Sequence, residues 1–120
     1  MSEDDQGVFG FEKLDVYQRA VEFLAVAARL IQELPAGQHP LADQLKRAAL
    51  SVPVNVAEGV GRTSAADRRR HYAIGRGSAM ECAAILDACR IMEIAAAGLL
   101  RQGRSLLIRV VSMLTRMCRS

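Results

Sequence analysis

Apolar residues recur every three or four positions along most of the chain, a spacing that predicts helices and no strand. Two such stripes run along the first predicted helix, from Leu14. One consists of Leu14, Tyr17, Val21, Leu24, Ala28 and Ile31, and the other of Val16, Ala20, Phe23, Ala27, Leu30 and Leu34. One apolar stripe is enough to face the core of a bundle. We therefore expect a second buried face on this helix, covered either by other helices of the monomer or by another subunit.

The next predicted helix, residues 41–58, keeps its periodicity around a proline. Its polar residues fall on one arc: Arg47, Ser51, Asn55, Glu58 and Arg62. The opposite side is apolar: Leu45, Ala48, Ala49, Val52 and Val56. Pro53 has no N–H to donate and disfavours helical dihedral angles at Val52. The pattern predicts a kinked helix with one polar stripe, ended by Gly59 and Gly61.

The remaining segments complete a four-helix pattern. A turn rich in proline and glycine occupies 34–40, and Ser64 starts a helix predicted over 65–95. We expect the last connection at 96–103 and a final helix over 104–118. The fold class is therefore all-α, an antiparallel up-and-down four-helix bundle with a proline-kinked second helix. The bundle domain is predicted to span 11–120, after a disordered acidic tail at 1–10.

Charge is distributed unevenly along the 120 residues, which suffice for a single domain. Residues 1–33 carry seven acids and three bases, whereas residues 34–120 carry thirteen bases and six acids. This asymmetry allows contact with an acidic partner, and it equally fits a solvated surface with an acidic tail. The three cysteines show no metal-binding spacing, and no signal peptide or membrane span is evident. We therefore expect a cytoplasmic protein.

A polar network is predicted between the second and third helices. Glu81 and Ser78 share a side of the third helix with apolar residues, so the Glu81 carboxylate is expected to need a basic partner. The full network is predicted to comprise Arg47, Asn55, Glu58, Arg62, Ser78 and Glu81, with Arg70 as a further possible partner. Its expected role is to fix helix register or subunit arrangement. A catalytic pair of Glu58 and Glu81 is the less favoured alternative.

The sequence gives little indication of metal binding, cofactor binding or catalysis. Bundles that hold two metals use paired Glu-x-x-His segments, and here Ala36 and Arg68 precede His39 and His71 by three residues. No nucleotide-binding or nucleophile motif is present, and His71 is expected at the surface or at its boundary. The sequence therefore predicts no metal, no cofactor and no enzyme activity.

Basic residues gather around the start of the third helix. The predicted nucleic-acid-binding residues are Lys46, Arg47, Arg62, Arg68, Arg69, Arg70 and Arg76. Guanidinium groups and helix N-termini both suit phosphate oxygens. Aromatic residues are few, so contacts to backbone and shape are expected rather than stacking on bases. A solvated arginine surface without a ligand remains the alternative.

Several of these segments together resemble one family. They are the FEKL segment at 11–14 with Val16 and Tyr17, the SVPVNVAEGVGR segment at 51–62, and the GS segment at 77–78 followed by Glu81. Over about residues 11–95 the chain resembles the four-helix bundle proteins encoded in intervening sequences of 23S ribosomal RNA genes. It also looks like a distant relative of the accessory protein of diversity-generating retroelements.

The resemblance implies an up-and-down bundle and a homo-oligomer, specifically a pentamer. It also implies binding to RNA, DNA or a nucleic-acid-associated protein, and no catalysis. The expected function is that of a non-enzymatic oligomeric binding protein that contacts structured nucleic acid through its arginines. The competing hypothesis is a protein-interaction scaffold without nucleic-acid binding.

Overall fold

The computed structural model describes residues 8–120, which form four α-helices. Helix α1 is Asp15–Glu33, α2 is His39–Val60, α3 is Ala65–Ile91 and α4 is Ala97–Met117, and one 3-10 turn, Gly10–Lys13, precedes α1. Each helix packs against the next along the chain, and α1 also packs against α4. The described residues therefore form an all-α four-helix bundle, as predicted, with overall extents of 48 × 29 × 22 Å.

The core takes one face from each helix. On α1 this face is the second apolar stripe, in which Phe23 and Leu30 are fully buried. Leu45 and Val52 on α2 and Leu114 on α4 pack into the same core. Burying a side chain of this size stabilises a fold by about 1.5–3 kcal/mol. The second stripe therefore holds α1 in the bundle, and the first stripe is left at its edge.

Helix α2 begins and ends within two residues of its predicted bounds and runs continuously through Pro53. The kink predicted at Pro53 stays a prediction. Residues 1–7 of the predicted acidic tail lie outside the described residues, so the tail and the predicted domain boundary also stay predictions. Within residues 8–120, no helix combines the length and the apolar character needed to cross a membrane.

The predicted connection at 96–103 is wrong, because α3 ends earlier and α4 begins earlier. Glu93 adopts a left-handed conformation, with φ of 54°. The Glu93 N–H donates to Arg90 O at 3.2 Å, and the Ile94 N–H donates to Cys89 O at 3.1 Å. This pair of bonds is a Schellman motif, which normally has glycine at the left-handed position. Because glutamate occupies this position, the sequence contains no glycine that would indicate the end of α3.

Two glycines that were expected to end or interrupt helices lie inside them instead. A β-carbon on Gly103 would come within 3.0 Å of Leu86 Cδ1 and 3.3 Å of Phe23 Cε1. A β-carbon on Gly59 would overlap the ring of Tyr72. Each glycine therefore lets a large side chain from a neighbouring helix pack directly on the backbone. Gly103 brings α1, α3 and α4 together, and Gly59 does the same for α2 and α3.

Candidate functional site

A polar cluster at the α2–α3 contact is centred on His71. This side chain is only 5% exposed, so its predicted place at the surface or boundary is wrong. Arg62 Nε donates to His71 Nε2 at 3.2 Å, and His71 Nδ1 lies 3.1 Å from Asn55 Oδ1. Because both ring nitrogens have partners, the imidazole is buried without an unpaired polar group.

The partners of His71 determine its tautomer. A guanidinium can only donate hydrogen bonds, so His71 Nε2 must accept from Arg62 and therefore carries no proton. The proton then resides on Nδ1, which donates to Asn55 Oδ1. The Asn55 amide nitrogen donates to Ser51 O at 2.9 Å and to Ser51 Oγ at 3.0 Å, which turns its oxygen toward His71. Both ring nitrogens of His71 are thus occupied.

Most of the predicted polar network lies around this histidine. Ser78 Oγ donates to Ser51 Oγ at 2.8 Å and so joins α3 to α2. Glu58 Oε2 lies 3.5 Å from Arg62 Nη2 and 3.6 Å from His71 Nδ1. The structure therefore brings Asn55, Glu58, Arg62 and Ser78 together. Ser51 and His71 are the two members that the sequence analysis did not assign, although Ser51 lies on the polar arc of α2.

Glu81 and Arg47 lie beside this cluster, in a groove that Ser51 and Ser78 also line. Glu81 is exposed, so the prediction that it faces packed apolar surface is wrong. Gln44 Nε2 lies 3.4 Å from Glu81 Oε2, and within residues 8–120 no basic nitrogen lies within 4.0 Å of this carboxylate. Both Glu81 and Arg47 line a groove of about 420 Å³ between α2 and α3, and Glu58 is not among its lining residues.

Besides Arg62, three more of the predicted nucleic-acid-binding arginines are fixed by hydrogen bonds. Arg68 Nη1 donates to the carbonyls of Arg62 and Thr63, at 3.2 and 3.1 Å. Arg69 Nη1 donates to Ser120 O at 3.1 Å, and Arg76 Nε donates to Thr115 Oγ1 at 2.7 Å. A guanidinium has five N–H groups, so each of these bonds leaves other donors of the group available.

The predicted basic residues do not form one patch. Arg62, Arg68, Arg69 and Arg70 surround the turn between α2 and α3, and we call these four residues the turn arginines. Lys46 and Arg47 lie 13 or more residues before the end of α2 at Val60, which places them about 20 Å from that end along the helix axis. Arg76 lies further along α3, against α4. Of the seven predicted residues, the turn arginines are the four that gather at one end of the α2–α3 pair.

A second basic group, which was not predicted from the sequence, lies between α3 and α4. Arg90 near the end of α3 and Arg101 and Arg104 near the start of α4 line one pocket between these helices. Residues 96–103 were expected to form a loop. The sequence therefore did not predict that Arg101 and Arg104 lie on the same helix. The correct start of α4 at Ala97 puts both arginines on the first turns of one helix.

Candidate metal ligands lie apart in the described residues, and two of the three cysteines, Cys82 and Cys89, are buried. Within the described part of the chain, no three His, Cys, Asp or Glu side chains come together as a metal site. Burial raises the pKa of the Cys82 thiol to about 12, and burial also raises the pKa of Cys89. Both thiols therefore stay protonated at neutral pH and act as small apolar side chains.

Comparison with known proteins extends these observations. Residues 12–116 match the family described as 23S rRNA-intervening sequence protein. No curated protein matches the chain. Among solved structures, the chain is similar to the crystal structure of a protein of unknown function from Bacteroides thetaiotaomicron VPI-5482, described as belonging to the S23 ribosomal protein family. The TM-score is 0.80 at 19% sequence identity, over 88% of this chain and 99% of that one. At this identity the likeness shows the fold alone.

Proposed function

Since this chain belongs to the 23S rRNA-intervening sequence protein family, we propose that it is a non-enzymatic, oligomeric binding protein that contacts structured nucleic acid. The turn arginines are the proposed contact surface. Its distant resemblance to the accessory protein of diversity-generating retroelements points to the same kind of partner, RNA, DNA or a nucleic-acid-associated protein. The three free thiols fit a reducing compartment such as the cytoplasm.

The observation that carries the proposal is the fixed arrangement of the turn arginines. Arg68 and Arg69 are tied to main-chain carbonyls, and Arg62 is held by His71. Side chains that are already ordered lose less conformational entropy when they bind phosphate. Guanidinium groups also match phosphate oxygens in a fork geometry. The turn therefore presents several ordered cations to a polyanion.

Oligomer formation is proposed from the apolar surface that the monomer leaves uncovered. The first apolar stripe of α1 is half-buried or exposed, and Val21 within it is 40% exposed. On α2, which packs beside α1, Leu50 is 49% exposed and Val54 is 42% exposed. Exposed apolar residues on two neighbouring helices suit association between copies. We propose a homo-oligomer, and specifically a pentamer.

The antiparallel course of the helices and the bend at Pro53 are also proposals. The links between helices cover residues 34–38, 61–64 and 92–96. Links this short join helices that run in opposite directions, and contact between α1 and α4 closes the ring of four. Pro53 leaves one carbonyl of α2 without its usual donor, which favours a bend there.

Salt-dependent RNA binding tests the proposed function. We would measure fluorescence anisotropy of a labelled RNA hairpin between about 50 and 200 mM salt, a range in which phosphate contacts weaken strongly. We expect binding at low salt that weakens as salt rises, and at least tenfold weaker binding by the Arg62→Gln/Arg70→Gln double variant.

The matched control removes two charges elsewhere. Arg29 on α1 and Arg109 on α4 are both exposed, so the Arg29→Gln/Arg109→Gln variant should bind within about twofold of wild type. Thermal unfolding of both variants separates lost binding from lost folding. If the wild-type protein fails to bind the hairpin even at low salt, the nucleic-acid proposal is wrong.

A protein-interaction scaffold is the second candidate function, because the exposed apolar residues of α1 and α2 suit protein contacts. In that case the arginines bind no ligand and only keep the surface of the assembly hydrated. The absence of hairpin binding together with a stable oligomer would favour this second candidate.

A further inference from the structure

A pocket of about 440 Å³ lies between α3 and α4, beside the link that joins them. Its apolar lining consists of Ala83, Leu86, Ala97 and Leu100. Its polar lining consists of Asp87, Arg90, Arg101 and Arg104. The volume falls in the range of pockets that hold small organic ligands. None of these arginines belongs to the turn arginines, so the pocket is a separate feature.

The charges of the pocket do not balance. Asp87 Oδ1 accepts from Arg90 Nε at 3.2 Å and from Arg90 Nη2 at 2.9 Å, so these two residues neutralise each other. Within residues 8–120, no carboxylate lies within 4.0 Å of the Arg101 or Arg104 guanidinium. Three arginines and one aspartate therefore leave two uncompensated positive charges.

The position of Arg101 and Arg104 on α4 adds to this imbalance. Like charges three residues apart on a helix repel each other. The first turn of α4 has no acidic residue, and its N-cap, Ala96, has no side chain that could accept a hydrogen bond. An anion in the pocket would relieve this repulsion.

We propose that this pocket binds a nucleotide that carries a phosphate monoester, either free or at the end of a nucleic-acid strand. A phosphate monoester carries close to two negative charges at neutral pH, which matches the two free guanidinium groups. A carboxylate or an internal phosphodiester carries only one. Arg101 and Arg104 would hold the phosphate, and the base would lie on the apolar lining. The strand-end form rests on the proposed function.

The experiment compares two forms of one short labelled oligoribonucleotide, with either a 5′-phosphate or a 5′-hydroxyl group. We expect the phosphorylated form to bind at least tenfold more tightly, and we expect adenosine monophosphate to compete with it. The Arg101→Gln/Arg104→Gln variant should lose this preference. The Arg109→Gln/Arg116→Gln variant removes the same charge from α4 outside the pocket and should keep it.

A second variant tests the apolar lining with every charge intact. Ala97 is exposed at the start of α4, so Ala97→Trp should fold and fill the pocket. We expect it to weaken binding of adenosine monophosphate at least tenfold. Circular dichroism on all variants identifies any that fail to fold.

The outcomes separate this inference from the proposed function. Equal binding of both oligonucleotide forms, with no competition by the free nucleotide, would overturn the pocket assignment even if an RNA hairpin binds through the turn arginines. Binding of adenosine monophosphate through Arg101 and Arg104 without hairpin binding would support the pocket with a free nucleotide as its ligand, and would leave the proposed function without support.

Discussion

His71 lies at the α2–α3 contact, where Asn55 of α2 and Arg62 of the following link supply partners for both ring nitrogens. Removing one partner of a buried hydrogen bond usually costs more than the bond itself contributes, because the other partner stays desolvated. Asn55 is half-buried and depends on His71 Nδ1 for its oxygen. His71 is therefore a structural residue of the α2–α3 contact.

We predict that His71→Leu lowers the free energy of unfolding by about 1–3 kcal/mol, since Asn55 Oδ1 and Arg62 Nε would lose their partner. Urea denaturation measures this change. His39 is exposed at the start of α2, so His39→Leu is the matched control and should change stability by less than about 0.5 kcal/mol. Equal effects of the two substitutions would contradict the structural role of His71.

Arg68 illustrates how an apparently misplaced charge is accommodated. Three arginines in a row, Arg68–Arg70, stand in the first two turns of α3, where the helix dipole disfavours cations. Arg68 reaches back to the carbonyls of Arg62 and Thr63, which follow the end of α2. Its charge is therefore placed against carbonyl groups of the link between α2 and α3.

The end of α3 shows that a helix can stop without the usual residue. Both hydrogen bonds of the Schellman motif are present, and Ile94 packs against the core after the turn. Geometry that normally needs glycine is imposed on Glu93 by these surroundings. A glutamate in a left-handed conformation is less stable there than glycine would be.

Glu93→Gly is therefore predicted to stabilise the protein by about 0.5–1 kcal/mol, because glycine adopts a positive φ without steric conflict. Thermal unfolding should show a higher midpoint for this variant. Glu93→Ala keeps the β-carbon and serves as its control, with no gain expected. A loss of stability in Glu93→Gly would mean that the glutamate side chain itself holds the turn.

Glycines within helices have opposite roles in this molecule. Gly103 is buried under Leu86 and Phe23, whereas nothing lies within 4 Å of a β-carbon placed on Gly77. We predict that Gly103→Ala lowers the free energy of unfolding by about 1–3 kcal/mol through overpacking. Gly77→Ala should raise it by about 1 kcal/mol through helix propensity. Chemical denaturation of the pair checks both signs, and the same sign for both would contradict the packing argument.

Taken whole, the bundle buries one apolar stripe of α1 and leaves the other at its edge, beside exposed residues of α2. The outer face of α4 also carries an isolated apolar residue, Ile108, which is 58% exposed. Single exposed residues of this kind are common on monomers. On α1 and α2, by contrast, several exposed apolar residues occur, Val21, Leu50 and Val54 among them.

We predict that Val21→Glu combined with Leu50→Glu dissociates the proposed oligomer, because each substitution places a charge in an apolar contact. Light scattering should give the wild-type protein about five times the 13.1 kDa mass of one chain, and the double variant about one. Ile108→Glu is the control and should leave the mass unchanged. A wild-type mass of one chain would refute oligomer formation.

The helix count and the buried faces could be predicted from periodicity, because Phe23, Leu45 and Val52 lie on regular apolar stripes. The end of α3 could not, because Glu93 carries no sequence mark of a left-handed residue. That error in turn concealed the pairing of Arg101 with Arg104. The burial of His71 could not be predicted either, because it depends on Asn55 and Arg62, whose side chains reach the imidazole across the α2–α3 contact.

The packing of Tyr72 on Gly59 provides an intrinsic optical probe. The chain contains two tyrosines and no tryptophan, so its ultraviolet emission comes from Tyr17 and Tyr72 alone. Replacing Tyr17 with phenylalanine would leave a single fluorophore at the α2–α3 contact. Its emission and quenching would then report on the separation of these two helices during unfolding or ligand binding, without any attached dye.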